Sequence, residues 1–139
     1  FSGLHSRALL RLSSDMTVAQ VCSLPEGVHN AQPFLNGIIF NDTKSDVLRY
    51  IDRAGDSKVF KVPAYNEEDL QFHDVDSTQI ARQAFGRGLC TVNAQVVAAG
   101  SSPSTVSLYD IHSGERIAAV NLTMDIRNAI HGLEVWPFE

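Results

Sequence analysis

The sequence predicts an all-β fold built from repeated four-stranded units. Three observations support this prediction. Short runs of Val, Ile, Leu and Tyr alternate with turn residues, the same order of strands and turns occurs twice, and the middle runs are apolar at successive positions. Runs of this kind, bounded by Gly, Asn and Asp, are typical of strands and hairpins. We therefore expect antiparallel β-structure with almost no helix.

The repeat is visible when two stretches of the chain are aligned. Asn36 aligns with Asn93 and Gly55 aligns with Gly114, and the small difference between these two spacings falls in the loop before the third strand. Each copy reads strand, Asn turn, strand, loop, strand, Gly turn, strand. Gly55 and Gly114 provide the positive φ that a tight hairpin requires.

The elements follow in chain order. The first two predicted strands form the last hairpin of an incomplete earlier copy, the next group forms two complete copies, and the final strand begins a later copy because Ile130-His131-Gly132 resembles Val28-His29-Asn30. The predicted strands lie near 8–13, 17–23, 32–41, 46–52, 57–62, 88–93, 95–100, 105–111, 115–121 and 131–136.

The second strand of each copy, 37–40 and 96–99, is apolar at every position instead of alternating. This pattern indicates burial on both faces of the sheet. Blades of a β-propeller cover each other in this way, and each blade is a four-stranded antiparallel sheet. The sequence therefore predicts a β-propeller-like fold with about two complete blades plus partial ones.

The predicted organisation is a single propeller segment over residues 1–139. It consists of a partial blade (1–24), a blade (25–63), an acidic insertion (64–84), a second blade (85–122) and the first strand of the next blade (123–139). A closed propeller needs about four to eight blades, so this chain does not close alone. We expect the remaining blades to come from a longer parent chain, or from self-association as the less favoured alternative.

A resemblance adds to this prediction. Residues 130–138, together with 100–104 and the Tyr109-Asp110 hairpin that ends at Gly114, resemble the C-terminal portion of an uncharacterised bacterial β-propeller-like family of conserved hypothetical proteins, a domain of unknown function. The resemblance extends loosely over 25–139. It implies a propeller-like fold and a longer parent protein, and it assigns no catalytic residue.

Composition narrows the classes of partner. With 44% hydrophobic and 19% charged residues, the chain can bury a core, which disordered chains cannot do. A net charge of −5 argues against nucleic-acid binding, and no apolar run approaches the ~20 residues that span a bilayer. We expect a soluble, cytoplasmic protein without a nucleic-acid or membrane partner. Cys22 and Cys90 lie in apolar runs and are expected to be small core residues.

Motifs for catalysis are missing from the sequence. It has no G-x-S-x-G, H-E-x-x-H, P-loop or C-x-x-C motif. We therefore favour a binding or scaffold module, for a small molecule or a protein partner, over an enzyme. The alternative is a metal-dependent lyase or hydrolase with histidines that line the channel.

The candidate site follows from the repeat. His29 and His131 begin the first strand of two copies, and Arg87 has nearly the same position in the copy between them. Because first strands line the channel of a propeller, these three side chains are expected to meet at one channel mouth. Arg87 with the imidazoles would hold an anion, or His29 and His131 would hold a divalent metal. The simpler alternative is that all three are structural.

Trp136 is a further candidate for ligand binding. With Phe34 and Phe138 it would offer a stacking platform for a sugar. The alternative is that these first-strand aromatics belong to the core.

Overall fold

The computed structural model describes residues 2, 5–73 and 82–138. This part of the chain contains ten strands, one three-residue 3-10 helix (Glu67–Asp69) and no α-helix, so the all-β prediction is confirmed. The strands are β1 (Ala8–Leu12), β2 (Val18–Ser23), β3 (Val28–Phe34), β4 (Gly37–Asp42), β5 (Val47–Asp52), β6 (Ser57–Lys61), β7 (Leu89–Thr91), β8 (Val96–Ser101), β9 (Thr105–Asp110) and β10 (Glu115–Asn121).

The strands form three antiparallel sheets. β1 and β2 make a hairpin, β3 to β6 make a four-stranded sheet in chain order, and β7 to β10 make a second four-stranded sheet in the same order. The two larger sheets lie within the predicted blades, 25–63 and 85–122. The described strands do not close into a ring, so the propeller stays a prediction.

Two strand predictions differ from the structure. The range 32–41, predicted as one strand, is two strands joined at Leu35-Asn36, where Leu35 has a φ of 48°. The predicted strand at 131–136 is wrong, because residues 129–138 are irregular. A strand needs a neighbour to complete its hydrogen bonds, and within the described chain residues 131–138 form no backbone–backbone hydrogen bond with another segment.

The core lies between the two four-stranded sheets, and a second cluster joins the first sheet to the β1–β2 hairpin. Ile39 and Phe40 are both 0% exposed, but Ile39 belongs to the intersheet core and Phe40 to the hairpin cluster. Successive strand residues point to opposite faces. β4 is therefore buried on both faces, as its continuous apolar run predicts.

The predicted insertion (64–84) is described only in part, since residues 74–81 lie outside the described residues. Its first half is tied to the connection after β10, because the Gln71 amide donates to the Met124 carbonyl at 2.9 Å. The helical turn predicted around 78–85 falls mostly in the undescribed part, and residues 82–85 are not helical.

Both cysteines are free thiols. Cys90 is buried, and Cys22 is half-buried against the hairpin cluster. No helix in the described ranges is long and apolar enough to cross a membrane.

Candidate functional site

The candidate site lies where β3 begins. The register between β3 and β4 shifts between His29 and Gln32, and Asn30 has a φ of 50°. Asn adopts this left-handed conformation more easily than most residues because its short side chain bonds locally. Such irregularities change the direction of side chains along a strand. Here, His29 and Asn30 both contact the segment that precedes β7.

His29 is half-buried and bonded to its own sheet. Its Nδ1 lies 3.0 Å from the Thr43 hydroxyl, and Thr43 donates to the Gly86 carbonyl at 2.8 Å. Burial lowers the pKa of His29 from its ordinary value, and the charges of Arg87 and His131 lower it further, whereas the Gly27 carbonyl raises it. The imidazole is therefore held in its neutral form.

Arg87 is carried by Gly86-Arg87-Gly88, a segment that passes close to both of its neighbours. The Arg87 amide donates to Gly100 and the Gly88 amide donates to Ile130, each at 2.8 Å. A Cβ at Gly88 would lie 2.9 Å from the backbone oxygen of Ile130, so this close approach needs glycine. The sequence alone did not predict that Gly86 and Gly88 are needed for these close contacts.

The Arg87 guanidinium lies over the ring of Phe85, 4.5 Å from its centroid. Cations are attracted to the negative face of an aromatic ring. The ion pairs among the described residues do not include Arg87. Arg82, which contacts the same ring, is instead paired with Asp46. Arg87 therefore contributes a positive charge that no described carboxylate neutralises.

His131 completes the group. Its Nδ1 lies 3.4 Å from an Arg87 guanidinium nitrogen, and its backbone carbonyl accepts from the side-chain amide Nδ2 of Asn30 at 3.4 Å. The same Asn30 amide donates to the Arg87 carbonyl. The structure thus brings together His29, Arg87 and His131, which we call the basic cluster. Whether the basic cluster binds a ligand stays a prediction.

Trp136 is not part of the basic cluster. It is 77% exposed and packs edge-on against Phe138, with ring centroids 5.2 Å apart. Phe34 is buried in the intersheet core, so the predicted three-ring platform does not form. The alternative, that all three aromatics belong to the core, is correct for Phe34 and wrong for Trp136 and Phe138.

The basic cluster does not fit a divalent metal. Nowhere in the described residues do three His, Cys, Asp or Glu side chains come together to hold one. Nδ1 of His29 is bonded to Thr43, and the Arg87 guanidinium lies against Nδ1 of His131. Structural and catalytic zinc sites use three or four protein ligands. Here only two imidazoles are present, and the positively charged guanidinium of Arg87 lies beside them.

Three residues of this site were missed by sequence reasoning. Phe85 supports Arg87, Thr43 orients His29, and Asn30 bonds to the two segments that carry Arg87 and His131. The available signal was Asn30 directly after a strand-initial histidine. Thr43 and Phe85 act through contacts between segments that are distant in sequence, and no local sequence pattern predicts such contacts.

The sequence contains two N-glycosylation triplets, Asn41-Asp42-Thr43 and Asn121-Leu122-Thr123, and both asparagines have structural contacts. Asn41 is fully buried and its amide donates to the Gly88 carbonyl at 3.0 Å. The Asn121 amide donates to the carbonyls of Pro103 and Thr123 and to the Thr105 hydroxyl. Both amide nitrogens are thus engaged inside the fold, which does not suit attachment of a glycan.

A separate cleft of about 200 Å³ lies between the sheets at their other end, beside the Leu35 turn. Lys58, which lines this cleft, donates to the carbonyls of Ile111 and His112, each at 2.9 Å. These bonds satisfy the ammonium and join the two sheets. We therefore interpret the cleft as a structural contact between the two sheets and not as a binding site.

The resemblance to uncharacterised bacterial propeller-like proteins stays a prediction. Comparison with protein-family models, with curated proteins and with solved structures produced no match to this chain.

Proposed function

We propose that this chain is a binding module of a β-propeller-like protein and that its basic cluster binds an anionic group. The observation that carries the proposal is Arg87, whose guanidinium is held on Phe85 beside two imidazoles without a described carboxylate partner. Guanidinium groups bind carboxylate and phosphate through paired N–H donors. A positioned cation that lacks a counter-charge favours such a ligand.

The propeller part of the proposal is supported by the arrangement of the sheets. Two four-stranded sheets with the same order of strands pack face to face, and a hairpin covers the outer face of the first. In a propeller, equivalent positions of successive blades surround one axis. The basic cluster, which draws on equivalent positions of the repeat, would then lie at the mouth of the channel.

The alternative, a metal-dependent lyase or hydrolase, has less support. It requires His29 and His131 to act as metal ligands, and the positive charge of Arg87 beside them opposes a cation. Anion binding depends on the guanidinium of Arg87 and avoids this conflict.

The test is an NMR titration of the imidazole resonances with acetate and, separately, with inorganic phosphate at low ionic strength. We expect saturable shifts of the His29 and His131 signals. Arg87→Met should abolish them because it removes the charge but keeps an apolar side chain on Phe85. Arg53→Met, which removes an exposed turn cation, is the matched control and should leave the shifts unchanged. Shifts that persist in Arg87→Met, or that never saturate, would overturn the proposal.

A further inference from the structure

The hydrogen bonds around His29 determine which of its nitrogens carries the proton. The Gly86 carbonyl can only accept, so Thr43 must donate its single hydroxyl hydrogen to it. The Thr43 oxygen then accepts from Nδ1–H of His29. A neutral imidazole has one N–H and one lone pair. Nε2 of His29 therefore carries the lone pair.

The same reasoning gives the opposite tautomer for His131. A guanidinium nitrogen can only donate, so the contact between Arg87 and Nδ1 of His131 makes that nitrogen the acceptor. The proton of the neutral His131 imidazole therefore lies on Nε2. His131 is exposed, which leaves this N–H free to donate to a ligand.

The basic cluster thus combines three functions. Arg87 supplies a positive charge with N–H donors, His131 supplies one more donor, and His29 supplies an acceptor. His29 is half-buried, and its ring packs edge-on against Phe85, with 5.8 Å between the two ring centroids. The guanidinium of Arg87 lies over the same Phe85 ring. A simple anion would use the two donors and leave the acceptor of His29 without a partner, which is costly for a half-buried group.

We infer that the ligand of the basic cluster is a hydroxy acid: a molecule with an anionic carboxylate for Arg87 and His131 and a neighbouring hydroxyl that donates to Nε2 of His29. This inference rests on the proposed function, since it specifies the ligand of the same site. A site built to bond a hydroxyl discriminates against the analogue that lacks it.

The first test needs no ligand. Nitrogen-15 chemical shifts of the imidazoles, measured above pH 7.5, distinguish the two neutral tautomers. We expect the proton on Nδ1 in His29 and on Nε2 in His131. A proton on Nε2 of His29 would remove the acceptor and overturn the inference, whatever the site binds.

The second test compares glycolate with acetate, which differ by the hydroxyl, in the same titration. One hydrogen bond contributes about 1 kcal/mol, so glycolate should bind about five-fold more tightly. His29→Asn keeps a donor near the position of Nδ1 but lacks Nε2, and it should bind both acids equally. His29→Gln places an amide oxygen near the position of Nε2 and should retain part of the preference.

The outcomes separate the two proposals. Equal binding of the two acids by the unmodified chain would overturn the hydroxy-acid inference and leave anion binding intact. Binding of neither acid would overturn both. A preference for glycolate that persists in a folded His29→Asn chain would show that another group bonds to the hydroxyl of glycolate. That result would also overturn the inference.

Discussion

At the residue scale, the site is governed by the surroundings of His29. The basic side chains that face the imidazole are Arg87 and His131, while Arg82, which contacts the same Phe85 ring, is paired with Asp46. Protonation of His29 would add a charge to a half-buried group, remove its lone pair and place a second cation beside Arg87. The folded chain therefore favours the neutral form.

This arrangement predicts a pH dependence of stability. Because the pKa of His29 is lower in the folded state than its ordinary 6.5, the unfolded chain takes up the proton first as pH falls. The contribution is fully present above pH 6.5 and is lost as pH falls through the folded pKa. The urea midpoint should be lower at pH 5.5 than at pH 7.5, and this difference should shrink in His29→Asn.

The pH range used in this comparison lies above the range in which carboxylates usually titrate. Glu26, whose pKa is lowered from 4.5 by Lys44, and Asp125, lowered from 3.8 by Arg127, stay ionised throughout it. An identical pH difference in His29→Asn would mean that another group causes it.

Glycines that allow close approach make a second residue-scale prediction. A Cβ at Gly100 would lie 2.6 Å from the Cβ of Ile130, whereas a Cβ at Gly132 would meet nothing within 4 Å. Overpacking of this kind costs about 1–3 kcal/mol. Gly100→Ala should therefore lower the free energy of unfolding by about that amount and shift the His131 resonances, because it displaces the Ile130 backbone that precedes His131. Gly132→Ala should change stability little, and an equal loss in both variants would contradict this explanation.

At the element scale, β4 is the strand that contacts both the β1–β2 hairpin and the second four-stranded sheet. Phe40 faces the β1–β2 hairpin, and Ile39 faces the second sheet. The continuous apolar run of β4 predicted this double burial. The predicted strand at 131–136 also contains apolar residues, Leu133, Val135 and Trp136, but it has no neighbour within the described chain. Apolar residues alone therefore do not establish a strand.

Phe40→Ala tests the role of β4. Truncation of a buried Phe leaves a cavity and typically costs about 3–5 kcal/mol. We expect a loss of this size in denaturant unfolding, together with faster hydrogen exchange in the β1–β2 hairpin. Ile117→Ala, on the exposed strand β10 and 52% exposed, is the control and should change stability by less than about 0.5 kcal/mol. Similar losses in both variants would mean that the hairpin does not depend on Phe40.

At the scale of the whole molecule, both ends of the stack of sheets expose apolar side chains. Leu12, Met16, Val18 and Val21 lie on the hairpin, and Ile117, Val120 and Leu122 lie on or beside β10. Exposed strands with apolar side chains pair with other chains unless charge or cover protects them. In a larger propeller, neighbouring blades would cover these residues.

Self-association is therefore expected when residues 1–139 are made alone. Light scattering should show an average mass that rises with protein concentration. Val21→Lys and Val120→Lys should each reduce it, since a Lys on an edge strand opposes pairing. Arg53→Lys, in an exposed turn away from both of these ends, is the control. A stable monomer at high concentration would contradict the prediction and would favour an open set of sheets over a propeller.

The sequence by itself determined the all-β class, the order of strands in the two four-stranded sheets and the double burial of β4. These properties follow from local patterns, because the period of apolar residues and the placement of Gly and Asn act within a few residues of each other. The same repeat also predicted that His29, Arg87 and His131 would come together.

Only the tertiary structure decided what surrounds those three residues. Phe85 beneath Arg87, Thr43 behind His29 and Asn30 between the segments come from parts of the chain far apart in sequence, and their contacts depend on how the sheets pack. It also decided that Trp136 is exposed and that residues 131–138 form no strand. Burial and pairing are properties of the neighbours that a segment acquires on folding, and a run of amino acids does not specify those neighbours.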